Sequence, residues 1–504
     1  MFKHIQKGNY IRYFSQSHDW TLPTGHDTGI KIYNCVTKTK VPLIVKDQNL
    51  TKWYSCGPTV YDSSHIGHGA CYTKLDIIQN ILKKYFKLNL VTVMNITDID
   101  DKIIKRSNEL KLSTTQIANK YEKEFFSDLS LLQVQKPDII VRVSENINLI
   151  IKFIDQLIKK KYAYKSGDSV YFDVTKYNNY GKLQNVGDIN NKTGVKKSSA
   201  DFALWKGSKP DEPFWESPWG NGRPGWHIEC SALATHLFGS NFDVHAGGID
   251  LRFPHHENEE AQSCAFHDNN QWVNYWLHTG HLHLKNDEKM SKSLKNTISI
   301  QQMLKNVKPE EFRMACLMSH YRSFMEYSDD FILTSKSYLN KYKNFIIACN
   351  EFKNGTLTGT INSDILRTLL EDTSNKIHHS LCDDFDTPSV IKCLNEAIGT
   401  VNSMLHSSGS STDEKDLVYV TAFVNLLVNT LDIFNLSLKD QNNLSDHTFV
   451  EVMDILNNFR QDVRTLGLVS KNKEVLKLCD NVRNNLGNHG IVVKDHGKVS
   501  TWSK

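Results

Sequence analysis

The sequence predicts an α/β protein in which a parallel sheet, interrupted by an insertion, is followed by an α-helical region and a small C-terminal domain. Three observations carry this. From Ile30 to about Pro137, short apolar runs alternate with amphipathic stretches of helical period, the order of a parallel sheet. Residues 151–200 change character: ten Lys against four Asp, with several Tyr, Asn and Gly, read as an inserted, locally basic subdomain. After about residue 335 the pattern is almost wholly helical. Taken in order, a strand is expected near Lys52 to Ser55, a helix from Ala70 to Tyr85 and a strand from Leu90 to Asn95. The sheet pattern returns around Trp226 and again at Phe242 to His245. Residues 354–363 and 407–413 read as interhelical loops, and Thr387-Pro388 as a cap followed by a first-turn proline.

A chain of 504 residues carries about three to four domains at roughly 150 residues each. Its 39% apolar and 23% charged residues suit an ordinary globular core, and no stretch approaches 18 uninterrupted apolar residues, so no membrane partner is expected. With 60 Lys+Arg against 56 Asp+Glu, any nucleic acid must be met by local basic patches. The ten cysteines follow no short regular spacing, which argues for a reducing compartment. Residues 1–18 hold Lys3, Lys7 and Arg12 and no acid before Asp19, the bias of a transit peptide, and Arg12-Tyr13-Phe14-Ser15 resembles a mitochondrial processing site. The expected address is the mitochondrial matrix; a disordered basic N-terminus is the alternative.

Gly57-Pro58-Thr59-Val60-Tyr61 follows a predicted strand, and His65-Ile66-Gly67-His68 leads into a predicted helix, at the sheet edge where nucleotides bind. Gly67 lets a flat ring or a phosphate approach the backbone, and His65 and His68 can donate to phosphate oxygens. Either histidine alone is as well explained by capping a helix or by exposure. Later, Lys289-Met290-Ser291-Lys292-Ser293 sets two ammonium groups among hydroxyls, suited to clamping a triphosphate, although alone it could be a solvated run. His255 and Glu259 share one helical face and can bind one ion. Spacing joins neither Cys56 nor Cys230 to them; by spacing both are buried apolar residues.

These motifs resemble the class I aminoacyl-tRNA synthetases, and the segments between them resemble the cysteinyl-tRNA synthetases. The segments are Asn95-Ile96-Thr97-Asp98-Ile99-Asp100-Asp101-Lys102, Ser217-Pro218-Trp219-Gly220, Arg223-Pro224-Gly225-Trp226-His227-Ile228-Glu229-Cys230-Ser231, Gly247-Gly248-Ile249-Asp250-Leu251, and Phe253 to Glu259. The resemblance runs from about 30 to 335, persists in Asp383-Asp384-Phe385-Asp386-Thr387-Pro388 and reappears at Gly490 to Val493. Ala246 stands where a third glycine is usual, and Lys295 where glycine often follows the clamp.

Beside the transit peptide expected at 1–18, the resemblance implies a Rossmann-type catalytic domain in two halves, 30–139 and 223–335, around a connective insertion at 140–222, a helical bundle at 336–440 and an anticodon-binding domain at 441–504. It implies one Zn²⁺ per chain on Cys56, Cys230, His255 and Glu259, and Mg²⁺ accompanying ATP. Zinc with thiolate and imidazole ligands favours soft sulfur over a hydroxyl. The implied activity is ligation of L-cysteine to tRNA(Cys) through cysteinyl-adenylate by a monomer. His65, His68, Lys289 and Lys292 are the catalytic set, stabilising charge as the substrate carboxylate attacks the α-phosphorus. Gly57, Gly67, Thr97, Trp226, Ser291 and Ser293 are the substrate contacts, though Trp226 and Thr97 fit a core role equally well. Arg460, Arg464, Lys471, Lys473, Lys477 and Arg483 are expected to meet tRNA phosphates unless they form a solvated face. Three alternatives stand beside this: a tRNA-independent ligase passing cysteine to an amino-sugar, a non-enzymatic zinc and nucleic-acid binder, and an added cysteine persulfide activity at Lys102 and Lys105.

Overall fold

The computed structural model describes residues 19–186, 194–284, 288–289, 297–407, 414–438, 446–496 and 499–503. Its centre is a sheet of five parallel strands: β1 (Thr51–Ser55), β2 (Leu90–Ile96), β3 (Ile139–Arg142), β4 (Phe242–Gly248) and β5 (Val273–Thr279). The spatial order is β5-β4-β1-β2-β3. This is the doubly wound order, which reverses between β1 and β4 and opens a crevice beyond their carboxyl ends. Every residue of β5 is buried, as is most of β2 and β4, which suits strands covered on both faces.

Three helices shape the crevice: α1 (Ile66–Asn80), α2 (Trp226–Phe238) and α3 (Glu257–His267). The helix expected from Ala70 to Tyr85 therefore begins at the histidine motif, and its last turn, Ile81–Tyr85, is π-helical. Trp226 opens a helix rather than a strand. Its 13 residues include eight buried ones on several faces, so the apolar run reflects all-round burial and not a sheet. β3 belongs to the central sheet, carrying the first half past the expected edge at 139. The insertion beyond it forms an antiparallel sheet of Ala163–Ser166, Ser169–Phe172, Phe202–Gly207 and Gly222–Pro224.

The helical region contains Asp329–Lys353, Ser363–Cys382, Thr387–Leu405 and Glu414–Ile433. Asp386, not Thr387, caps the third, its carboxylate accepting from the Ser389 amide at 3.2 Å, with Pro388 in the first turn. The segment Asp416–Ile433 has a mean hydropathy of 1.4, long and apolar enough to cross a membrane by composition. It nevertheless buries Val420, Phe423, Leu427 and Leu431 inside the protein, the stripe of a bundle helix.

Residues 437–504 form a separate compact unit of two helices, Asp446–Val469 and Lys473–Asn488, and a hairpin, Val492–His496 with Val499–Ser503. Its charge map differs from expectation. Arg460 is 3% exposed and grips Asp495 at 2.7 and 3.0 Å, and Arg464 and Arg483 reach the same carboxylate at 3.4 and 3.3 Å. Three of the six cations expected to meet phosphate thus bind Asp495 instead, whereas Lys471, Lys473 and Lys477 are exposed.

Candidate active site

The cavity beyond β1 and β4 has a volume of about 300 Å³, and Cys56, Gly57, His65, Gly67, His68, Thr97, Trp226, Cys230 and His255 all line it. Cys56 directly follows β1, its amide bonded to the Ala246 carbonyl at 3.2 Å. At Gly57 a side chain would collide with the Asn95 carbonyl, its Cβ only 1.7 Å away, so glycine is required for β1 and β2 to close at this edge. Lys102 lines the same cavity, its ammonium 5.4 Å from the centre of the Tyr61 ring.

His65 is the N-cap of α1, its Nδ1 accepting from the Gly67 amide at 3.1 Å, while Nδ1 of His68 accepts from the His65 amide at 3.3 Å. The rings stack with centroids 3.9 Å apart. Capping and chemistry are thus compatible rather than alternatives: a neutral imidazole accepting at Nδ1 carries its proton at Nε2, a donor for an anion at the positive end of a helix.

The four expected ligands come together. The sulfurs of Cys56 and Cys230 are 3.7 Å apart, Cys230 Sγ is 3.6 Å from His255 Nε2, Cys56 Sγ is 3.7 Å from Glu259 Oε1, and His255 Nε2 is 3.0 Å from that oxygen. A tetrahedral zinc with bonds of about 2.3 Å to sulfur and 2.0–2.1 Å to nitrogen would set sulfur–sulfur near ~3.8 Å and sulfur–nitrogen near ~3.5 Å, so the donor set fits the ion. Trp226, 36% exposed, stacks on His255 with centroids 4.3 Å apart.

A second set, Cys56, His245, His256 and Glu259, also gathers its donor atoms. His245 Nε2 lies 2.8 Å from Glu259 Oε2, and His256 Nδ1 lies 2.9 Å from His278 Nε2. His245 and His256 are fully buried and do not line the cavity, so the first set reaches it through Cys56, Cys230 and His255 and the second through Cys56 alone.

The electrostatics suit a cation. Burial pushes the Cys56 thiol well above its ordinary value; at Cys230 the same effect is outweighed by hydrogen bonds from Cys56 and His255, which bring it down to about 6. Burial would raise Glu259, but the charges of His245 and His255 hold it at about 2. Burial would lower His255, but Glu259 and Cys230 lift it to about 10. A proton on His255 thus neutralises anions that a metal would otherwise pair with.

Thr97, 2% exposed, donates to the Glu229 carboxylate at 2.7 Å and accepts from Asn95 at 3.4 Å, which ties the ends of β2 and α2 together. Of the clamp, only the Lys289 backbone is described, in the strand Glu288–Lys289. Met290, Ser291, Lys292 and Ser293 lie outside the described residues. The chain re-enters beside the histidines, with the Ile66 amide bonded to the Ile298 carbonyl at 2.9 Å. Sequence reasoning missed Glu229, His245, His256 and His278; no spacing rule joins positions on separate strands and helices.

Comparison with known proteins identifies the family. Residues 43–337 match the family described as tRNA synthetases class I (C) catalytic domain. A Xenopus tropicalis protein described as a "probable cysteine--tRNA ligase, mitochondrial" is 41% identical over 96% of this chain and 91% of its own length. The cytoplasmic cysteine–tRNA ligase of Dictyostelium discoideum is 37% identical over 92% of this chain and 76% of its own. The cysteine–tRNA ligase of Methanococcus maripaludis is 39% identical over 94% and 99%. The fold resembles Mycobacterium tuberculosis methionyl-tRNA synthetase bound by methionyl-adenylate, with a TM-score of 0.60 and 12% identity over 77% of this chain and 93% of the other. The chain belongs to the class I tRNA synthetases, in the branch whose catalytic domain is designated C.

Proposed function

We propose that the protein activates L-cysteine with ATP and transfers it to tRNA(Cys). The observation that carries this is the opening of the Cys56, Cys230, His255 and Glu259 cage into the same cavity as His65 and His68. Zinc on that cage would discriminate for sulfur, which a hydrophobic pocket cannot do against a near-isosteric hydroxyl by more than about 1–3 kcal/mol. Thr97 and Trp226 border the amino acid. Gly67 and the Nε2–H donors of His65 and His68 take the phosphates, Mg²⁺ accompanies ATP, and Lys289 and Lys292 supply cations from the far side as charge grows on the transferring phosphate.

The amino-sugar alternative lacks support: relatives matched along nearly the whole chain are named as tRNA ligases. Neither is there support for persulfide formation at Lys102 and Lys105, which are exposed residues of one helix. The exposed Lys471, Lys473 and Lys477 make residues 437–504 suited to meeting tRNA phosphate. For the address, we favour the mitochondrial matrix on the acid-free residues 1–18, which lie outside the described residues. The test of function is charging: cysteine should become acid-precipitable on tRNA(Cys) transcript and not be transferred to amino-sugars. The reverse result would replace this reading with the amino-sugar ligase.

A further inference from the structure

A buried carboxylate outside the cavity holds one of its walls. Asp384, fully buried, lies between two bundle helices, Ser363–Cys382 and Thr387–Leu405. Its Oδ1 accepts from the Tyr33 amide at 2.9 Å and the Tyr321 hydroxyl at 2.7 Å, and its Oδ2 accepts from Arg322 Nε at 2.7 Å. His320 Nε2 lies 3.0 Å from the Asp384 carbonyl. The Arg322 guanidinium also covers the Tyr33 ring at 4.3 Å. The backbone here is strained, because Asp384 and Phe385 are consecutive non-glycine residues at φ 61° and 56°. Such conformations persist only where surrounding contacts over-determine them.

What Asp384 grips is the turn of residues 320–323, and that turn supports the cavity wall. The Tyr321 carbonyl accepts from the Gly280 amide at 2.8 Å, and the Met325 amide donates to the His281 carbonyl at 3.0 Å. At Gly280 a Cβ would lie 2.2 Å from the Ser323 carbonyl, so the two segments are in backbone contact. Thr279, Gly280, His281 and Leu282 line the cavity. Immediately after the turn, the strand Met325–Tyr327 pairs with Leu282–Leu284, which in turn pairs with Glu288–Lys289, where the clamp sequence begins. One carboxylate from the bundle therefore fixes both a wall of the cavity and the backbone register of Lys289. Among these contacts none goes to Cys56, Cys230, His255 or Glu259.

We infer that Asp384 is a positioning residue for the nucleotide half of adenylation: by gripping residues 320–323 it holds Gly280 to Leu282 and the start of the clamp in place, without acting on the cysteine site. The inference rests on the functional reading above. A group that aligns reactants through a rigid wall is felt in the rate or the ATP KM, since small misplacements cost rate steeply.

The test is cysteine-dependent ATP–pyrophosphate exchange by the full chain, with ATP and cysteine varied separately. Asp384→Asn keeps the size and removes the charge that holds Arg322. It should lower kcat/KM for ATP about tenfold or more, with the KM for cysteine within about twofold and zinc content unchanged. Arg322→Gln, at a side chain 34% exposed, should show the same split and serves if Asp384→Asn does not fold. Equal loss toward both substrates, or a lower melting temperature with both constants unchanged, would make Asp384 a stability element and overturn the inference. Absence of cysteine-dependent exchange in the unmodified protein would instead defeat the functional reading itself.

Discussion

The sulfurs of Cys56 and Cys230 lie 3.7 Å apart although 174 positions separate them in the chain. The doubly wound sheet produces this meeting. Cys56 directly follows β1, and Cys230 sits one turn into α2, which follows the insertion and packs beside the crevice between β1 and β4. Two thiols, an imidazole and a carboxylate in a buried site are costly to maintain without a cation.

Replacing Cys230 or His255 with Ala should therefore remove zinc and raise the KM for cysteine by about tenfold or more, because a cage with one ligand missing holds the ion poorly. Metal analysis of the purified variants beside exchange kinetics checks this. Wild-type zinc content in both would disprove the ligand assignment.

The tail should divide its cations by role. Lys471, Lys473 and Lys477, changed together to Ala, should weaken tRNA binding and reduce the salt dependence by a slope of about 0.7–0.9 per lost phosphate contact. Arg460→Ala should instead destabilise the unit, since it removes a buried guanidinium and the main partner of the partly buried Asp495. Filter binding across a salt series, with circular dichroism of each variant, separates the two effects. Deleting residues 437–504 should spare pyrophosphate exchange while impairing transfer to tRNA.

The insertion is tied to the catalytic domain by Asp101, which pairs with Lys206 at 2.8 Å and with Arg223. Partial burial would raise the Asp101 carboxyl, but the hydrogen bonds and charges of Lys206 and Arg223 bring it down to about 2. Its unfolded value is about 3.9. The folded value being the lower, the stabilisation is fully present above about pH 5 and disappears as the pH falls through about 2. Melting temperatures of the wild type and Asp101→Asn should therefore differ near neutrality, begin to approach one another below about pH 4 and converge toward about pH 2. A constant gap across that range would contradict the assignment.

Residues 1–25 fused to a fluorescent reporter should enter mitochondria and lose their N-terminus near Ser15. A diffuse cytosolic signal from an intact fusion would count against this address.

The parts legible in the sequence share a physical character. β2 was readable because a strand buried on both faces carries an apolar run, whereas the start of α1 was expected at Ala70, too late in the chain, because the imidazole cap at His65 is not among the usual N-cap side chains. α2 was misread at Trp226 because burial on several faces erases helical period. The pairing of His255 with Glu259 was local, whereas Cys56 and Cys230 entered through family resemblance alone, their proximity being set by sheet order. The tail arginines misled because a charge run does not reveal an internal partner: Asp495 stands 35 positions from Arg460. Asp384 carried no chemical signature, since its role depends on a turn 62 to 63 positions earlier.

In the proposed function, the cage of Cys56, Cys230, His255 and Glu259 selects cysteine for adenylation in the adjoining cavity. ATP–pyrophosphate exchange with each of the twenty amino acids, before and after zinc removal by a chelator, tests it most directly. Exchange should occur with cysteine alone, be lost on chelation and be restored by zinc. Exchange that persists at full rate in metal-free protein, or that is driven as well by serine, would contradict it.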